Sequence, residues 1–76
     1  MKVRYFAWMK RTVGVPDEDV DPPADVRTVG DLVVWLRARS PGHAEALAES
    51  AAFGAAVDKR TATFDVVLAG ANEVAF

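Results

Sequence analysis

The one long helix of this chain is predicted by residues 28–37, which have the sequence TVGDLVVWLR. Thr28 and Asp31 have the spacing of a capping pair, in which a hydroxyl and a carboxylate satisfy the free amide groups of a first helical turn. Four apolar residues then recur at helical spacing and form a single stripe that would face a core: Val29, Leu32, Val33 and Leu36. The sequence Ser-Pro-Gly at residues 40–42 ends the helix.

The segment before this helix predicts two strands. Residues 2–9 alternate between two sets of side chains, with Val3, Tyr5, Ala7 and Met9 on one side and Lys2, Arg4, Phe6 and Trp8 on the other. We expect residues 10–15 to form one helical turn that Gly14 ends, and residues 18–21 to add a short second strand. Two prolines at 22–23 then place a turn or a sheet edge.

The segment after the helix predicts a weaker helical patch and three strands. Small apolar residues repeat the helical spacing over residues 44–51. Residues 55–57 and 61–64 then predict a hairpin around 58–60, and residues 73–76 predict a final strand.

One long helix among several strands does not fit the regular alternation of a parallel α/β protein. It fits an α+β domain in which the main helix covers one face of a mixed four- to five-stranded sheet. The first and last strands would then be parallel neighbours at the centre of the sheet. We therefore predict a β-grasp, or ubiquitin-like, fold for residues 1–76 as a single domain.

Composition limits the classes of function. A chain of 76 residues with 51% hydrophobic and 26% charged residues predicts one small globular domain. The absence of cysteine excludes disulfide scaffolds, cysteine-type zinc sites and thiol catalysis. No apolar stretch approaches the roughly 20 residues of a membrane span, and no signal peptide is visible, so we expect a soluble cytoplasmic protein. The net charge of −2 argues against nucleic acid as the main partner.

No self-contained active site is predicted. His43 is the single histidine, and Glu45 and Glu49 have the spacing of a solvated helix face. The hydroxyl residues form no nucleophile elbow, and the scattered glycines form no phosphate-binding loop. We expect no metal, no cofactor and little volume for a pocket of several hundred cubic ångströms in so small a domain.

Binding to a protein partner is the better prediction. If Tyr5 faces the helix, then Phe6 and Trp8 face away from it and remain exposed to solvent unless a partner covers them. Phe76 joins this surface if the last strand lies beside the first, and Lys10 and Arg11 flank it. Basic residues within 2–11 followed by acidic residues within 17–25 also suit a protein partner. The alternative is that a loop such as residues 12–24 folds back over the rings.

Four segments, in order, resemble the small subunit of molybdopterin synthase. They are residues 3–7 with the basic residues 10 and 11 and Gly14, residues 28–32, residues 55–58, and residues 68–76. The last segment, LAGANEVAF, is similar to the family pattern L-x-x-G-D-E-V-A-F, with Asn72 in place of the aspartate.

The resemblance implies a sulfur carrier whose flexible tail, after this phenylalanine, ends in Gly-Gly. In the family, an adenylating enzyme of the ubiquitin-activating type activates the terminal carboxylate, which becomes a thiocarboxylate. The tail then enters the large synthase subunit and donates sulfur to the pterin precursor of the molybdenum cofactor. Phe6, Lys10 and Phe76 match family positions that face the large subunit, and Trp8 and Thr61 are further candidates.

Two alternatives stay open at this point. The sequence reaches Phe76 without the Gly-Gly tail; we expect the tail to follow, and the alternative is a tail-less interaction module that docks but transfers nothing. Within the same fold, the chain could instead carry sulfur for thiamine or another thiolated product. Thiamine carriers usually begin with a shorter strand that leads into an Asn-Gly turn, which this chain lacks.

Overall fold

A five-stranded mixed sheet forms one layer of the computed structural model, which describes residues 1–76. Its strands are β1 (Lys2–Arg4), β2 (Asp17–Asp19), β3 (Ala55–Val57), β4 (Arg60–Ala62) and β5 (Glu73–Ala75). Their order across the sheet is β2-β1-β5-β3-β4. The central strands β1 and β5 run parallel, and every other neighbouring pair is antiparallel. The predicted α+β, β-grasp fold is confirmed, including the parallel pairing of the first and last strands.

Three helices accompany the sheet, and the main one begins as predicted. They are α1 (Trp8–Val13), α2 (Val29–Arg37) and α3 (Pro41–Ala46). The Thr28 hydroxyl accepts a hydrogen bond from the Asp31 amide at 3.1 Å, and the Asp31 carboxylate accepts one from the Thr28 amide at 3.2 Å. Backbone hydrogen bonds from Arg27 and Thr28 lower the pKa of Asp31 from its ordinary value. None of the helices combines the length and the apolar character needed to cross a membrane.

The first strand is shorter than the alternating pattern predicts. β1 ends at Arg4, and a tight turn in which the Met9 amide donates to the Phe6 carbonyl at 3.1 Å leads into α1. The prediction of a strand over residues 2–9 is therefore wrong beyond Arg4, and Trp8 lies on a helix. Met9 lies on α1 and is buried in the core. The alternating pattern also predicts that Met9 faces the core, although for a strand and not for a helix. Ala7, at the corner, has φ of 51°, which non-glycine residues rarely adopt.

The core lies between the sheet and the helices. It contains all four residues of the α2 stripe, together with Val3 of β1 and Val74 of β5 and the residues that follow these strands, Tyr5 and Phe76. The weaker helical patch is displaced from its predicted position, since α3 begins at Pro41 and ends at Ala46. The Ser40 hydroxyl caps it by accepting from the His43 amide at 3.1 Å. The predicted hairpin is confirmed, with Asp58 and Lys59 between β3 and β4.

Candidate partner-binding surface

The registers of the sheet align one row of residues across four strands. The row is Arg4, Ala75, Ala56 and Thr61. Val3 and Val74, in the neighbouring row, are completely buried. Because side chains alternate along a strand, the first row lies on the face away from the core. Phe6 follows Arg4 by two residues and therefore lies on the same side of the sheet. We call this row of four residues, together with Phe6, the open face.

Phe6 is the large apolar side chain of the open face. It is 53% exposed. The guanidinium of Arg4 lies 5.5 Å from the centre of its ring, and the same guanidinium contacts the Glu73 carboxylate at 3.6 Å. The alternative in which residues 12–24 cover this ring is therefore wrong. An exposed aromatic ring beside an arginine has the chemistry of residues that anchor protein interfaces.

Trp8, Lys10 and Arg11 lie on a second surface, formed by α1. All three are exposed, Trp8 by 39%. Residues three positions apart share one side of a helix, so Trp8 and Arg11 project together while Lys10 projects from the opposite flank. The structure places Phe6 and Thr61 on one face of the sheet, and it places Trp8, Lys10 and Arg11 on the helix that follows Phe6. Their use as a single partner-binding surface stays a prediction.

Phe76 is buried, which corrects its expected place on the exposed surface. Only 8% of the residue is exposed. It follows Val74 by two residues, so its ring points into the core, where it stacks on Tyr5. Its backbone extends the β1–β5 ladder: the Phe76 amide donates to the Arg4 carbonyl, and the Phe6 amide donates to the Phe76 carbonyl, both at 2.9 Å. The end of β5 therefore lies directly beside Phe6.

A polar network centred on Glu18 was not predicted from the sequence. The Glu18 carboxylate accepts hydrogen bonds from the Tyr5 hydroxyl at 2.8 Å and from the Arg39 guanidinium at 3.1 Å, and it lies 2.6 Å from His43 Nε2. Burial disfavours its ionised form, but these hydrogen bonds and nearby charges outweigh burial and lower the pKa of Glu18. Burial, followed by the hydrogen bond to Glu18, raises the pKa of Tyr5 well above its ordinary value. The sequence did not indicate this network because Glu18 lies within a run of acidic residues that is typical of a solvated surface segment.

Ser40, His43 and Glu18 follow one another in the order of a hydrolase relay. The Ser40 hydroxyl lies 2.7 Å from His43 Nδ1, on the ring edge opposite Glu18. The same hydroxyl oxygen caps α3, the histidine is buried, and no cavity of the structure is lined by these residues. A catalytic serine needs a substrate site and oxyanion donors beside it. We therefore interpret the group as a structural network that joins β2 to the α2–α3 junction.

An open groove of about 660 Å³ lies near the N-terminus, between the loop that follows β2 and residues 67–69. The prediction that this domain has little volume for a pocket is wrong, because the groove forms between surface segments and not inside the core. Its charged lining residues are one acid and one base, Asp21 and Arg27. This arrangement offers no pair of carboxylates for acid–base chemistry.

Comparison with protein families matches residues 3–76 to the ThiS family. The match covers the sheet from Val3 onward, the helices, the open face and the end of β5. Comparison with curated proteins finds no match.

Proposed function

The chain belongs to the ThiS family, the ubiquitin-like sulfur carriers, and on this premise we propose that it is the sulfur-carrying small subunit of a molybdopterin synthase in the cytoplasm. The finer assignment is supported by LAGANEVAF at residues 68–76, the segment that most resembles that subunit. It is also supported by the connection between β1 and β2. That connection is the helix α1 with Gly14 at its end, and not the Asn-Gly turn usual in thiamine carriers.

The observation that carries the proposal is the position of Phe6 beside the end of β5. We infer that a tail ending in Gly-Gly follows Phe76 and leaves the domain next to the open face. Glycines let such a tail enter a narrow active site without side-chain clashes. A partner that covers Phe6 would therefore also contact the first residues of the tail, at the edge of the same interface.

The chemistry requires two partner proteins, an adenylating enzyme and the large synthase subunit, together with a sulfur donor. An adenylating enzyme of the ubiquitin-activating type joins the terminal carboxylate to AMP from ATP and releases pyrophosphate. Sulfide then forms the C–S bond as the C–O bond to AMP breaks, which gives a thiocarboxylate and releases AMP. The large synthase subunit receives this group and transfers its sulfur to the pterin precursor. The domain itself supplies binding and placement.

Sulfur transfer is tested with the full-length protein, its adenylating enzyme, ATP and a sulfur donor. Intact-mass spectrometry should show one oxygen atom replaced by one sulfur atom. The product is then mixed with the large synthase subunit and the pterin precursor or, in parallel, with a thiazole-forming enzyme of thiamine synthesis. Sulfur transfer to the pterin alone supports the proposal. Transfer to the thiazole alone makes the chain a thiamine carrier, and no thiocarboxylate at all makes it an interaction module.

The docking surface is tested by Phe6→Asp. We expect binding to the large subunit to weaken by at least about 2 kcal/mol, or roughly thirtyfold in Kd, because a charge replaces a central aromatic anchor. Val34→Asp is the matched control, since Val34 is exposed on α2, away from the open face. Calorimetry measures binding, and circular dichroism checks the fold. Unchanged binding by Phe6→Asp would show that the partner does not use the open face.

A further inference from the structure

The ring of Phe76 is held between two other aromatic rings, and we call Tyr5, Phe53 and Phe76 the aromatic clamp. Tyr5 is nearly parallel to Phe76, with ring centres 6.4 Å apart and planes inclined by 21°. Phe53 meets Phe76 edge-on, with centres 5.9 Å apart and planes inclined by 80°. Both geometries are favourable for aromatic pairs. The last ring of the sequence is therefore contacted from two directions.

The two sides of the clamp are supported differently. Tyr5 follows β1, its hydroxyl is bonded to Glu18, and the His43 ring meets it edge-on at 5.9 Å. Phe53 lies outside regular structure, between α3 and β3, and is only partly buried. Its other aromatic contact is Phe64, at 5.4 Å. The Tyr5 side is thus fixed by the sheet and the polar network, while the Phe53 side is closed by a connecting segment.

We propose that Phe53 is a positioning residue for sulfur transfer, because it closes the aromatic clamp and so fixes where and in which direction the chain continues after Phe76. The inference rests on the proposed function, in which a tail follows that residue. Two backbone hydrogen bonds hold Phe76 in line with β1, whereas the pairing of β5 with β3 ends at Ala75. The aromatic contacts of the ring therefore supply a further restraint on the orientation of this residue.

The direction in which the chain leaves Phe76 matters because a small rotation there produces a larger displacement at the end of the tail. An extended chain advances about 3.3–3.6 Å per residue, so a small rotation at Phe76 moves a terminus several residues away by ångströms. Reactions between bound groups are sensitive to such errors, and a misplacement of about 1 Å can cost about a hundredfold in rate. The partner contact at Phe6 is on the opposite face of the sheet from the clamp, so binding and placement are separable.

The test compares Phe53→Leu with two matched variants in the full-length protein. Phe64→Leu removes a ring that pairs with Phe53 and forms no aromatic pair with Phe76, and Phe53→Tyr keeps the clamping ring. For Phe53→Leu we expect single-turnover sulfur transfer to the pterin to slow by about ten- to a hundredfold, with the Kd for the large subunit unchanged. Phe53→Tyr and Phe64→Leu should transfer close to the wild-type rate. A wild-type rate for Phe53→Leu, or equal slowing by Phe64→Leu, would overturn the proposal.

Amide hydrogen exchange gives a second readout that needs no sulfur chemistry. The Phe6 amide donates to the Phe76 carbonyl, so its exchange reports the stability of the clamped end of β5. We expect it to exchange on the order of tenfold faster in Phe53→Leu, while the Leu32 amide of α2 keeps its rate. Equal acceleration at both amides would mean general destabilisation and would refute the positioning role. If the wild-type protein carries no sulfur, the proposed function fails while this measurement still decides whether the clamp exists.

Discussion

Replacing Glu18 with glutamine removes the acceptor at the centre of the polar network. Tyr5 and Arg39 donate to the carboxylate at 2.8 and 3.1 Å. A glutamine keeps one acceptor oxygen but places an amide donor against one of these donors or the His43 ring. Losing a hydrogen bond to a charged acceptor costs about 1.5–3 kcal/mol, and a buried donor without an acceptor costs about 1–3 kcal/mol. The Arg39 pair is partly exposed and contributes little. We expect the free energy of unfolding to fall by about 2–4 kcal/mol, from the roughly 4–11 kcal/mol typical of this chain length.

The fall in unfolding free energy caused by Glu18→Gln should depend on pH. The pKa of Glu18 in the folded protein is lower than its ordinary value of 4.5. A carboxyl group with a depressed folded-state pKa stabilises the protein fully above its unfolded-state pKa, and this stabilisation is lost as the pH falls through the lower folded-state pKa. The difference in unfolding free energy between the wild type and Glu18→Gln should therefore be largest near neutral pH and shrink in acid, where protonated Glu18 also becomes a donor.

Urea unfolding followed by tryptophan fluorescence, from about pH 7 to about pH 3, measures this difference. Asp19→Asn is the matched control, because Asp19 is an exposed carboxylate on the same strand and makes no side-chain hydrogen bond or ion pair. It should change stability by less than about 0.5 kcal/mol. A pH-independent difference for Glu18→Gln, or an equal effect of Asp19→Asn, would refute the account of the network.

Two further predictions concern the backbone around α1. Ala7→Gly should raise the free energy of unfolding by about 0.5–2 kcal/mol, because relief of a positive φ outweighs the added freedom of the unfolded chain; a decrease in thermal stability would show that the corner is not strained. Gly42→Ala should lower it by about 1–3 kcal/mol, because the new methyl group would lie 2.6 Å from the Thr12 carbonyl and push α1 away from α3. Gly54→Ala is the control for the second variant, since nothing lies within 4 Å of its added carbon, and equal melting temperatures for the two would contradict the predicted clash.

The parts of the fold that the sequence predicts correctly depend on strong local signals. The Thr28 and Asp31 pair determines where α2 begins, and its apolar stripe is buried throughout. The β3–β4 hairpin was equally local, with two residues between its strands. The parallel pairing of β1 and β5 is not local, but it follows from the element order once one helix must cover one sheet.

The features that were missed depend on contacts between distant segments. Trp8 fits an alternating strand as well as it fits a helix, and only the turn at Ala7 decides between them. The burial of Phe76 depends on the side that Val74 occupies, which the pattern of a short final strand does not determine. Glu18 is far from its partners in sequence, and the nearest of them along the chain is Tyr5. Exposure and pairing of such residues are tertiary properties, so local pattern does not reveal them.

The proposed docking and tail placement depend on two residues that lie on opposite faces of the sheet. Phe6 is exposed on one face of the sheet, and Phe76 is buried on the other, yet a single backbone hydrogen bond of 2.9 Å joins them. A partner that binds Phe6 therefore contacts a residue that is hydrogen-bonded to Phe76, after which any further residues of the chain begin. Burial of the Phe76 ring removes it from the contact surface, so the partner cannot displace it without opening the core. Under the proposed function, substitutions on the open face should therefore change docking strength, and substitutions in the aromatic clamp should change the transfer rate, each without the other.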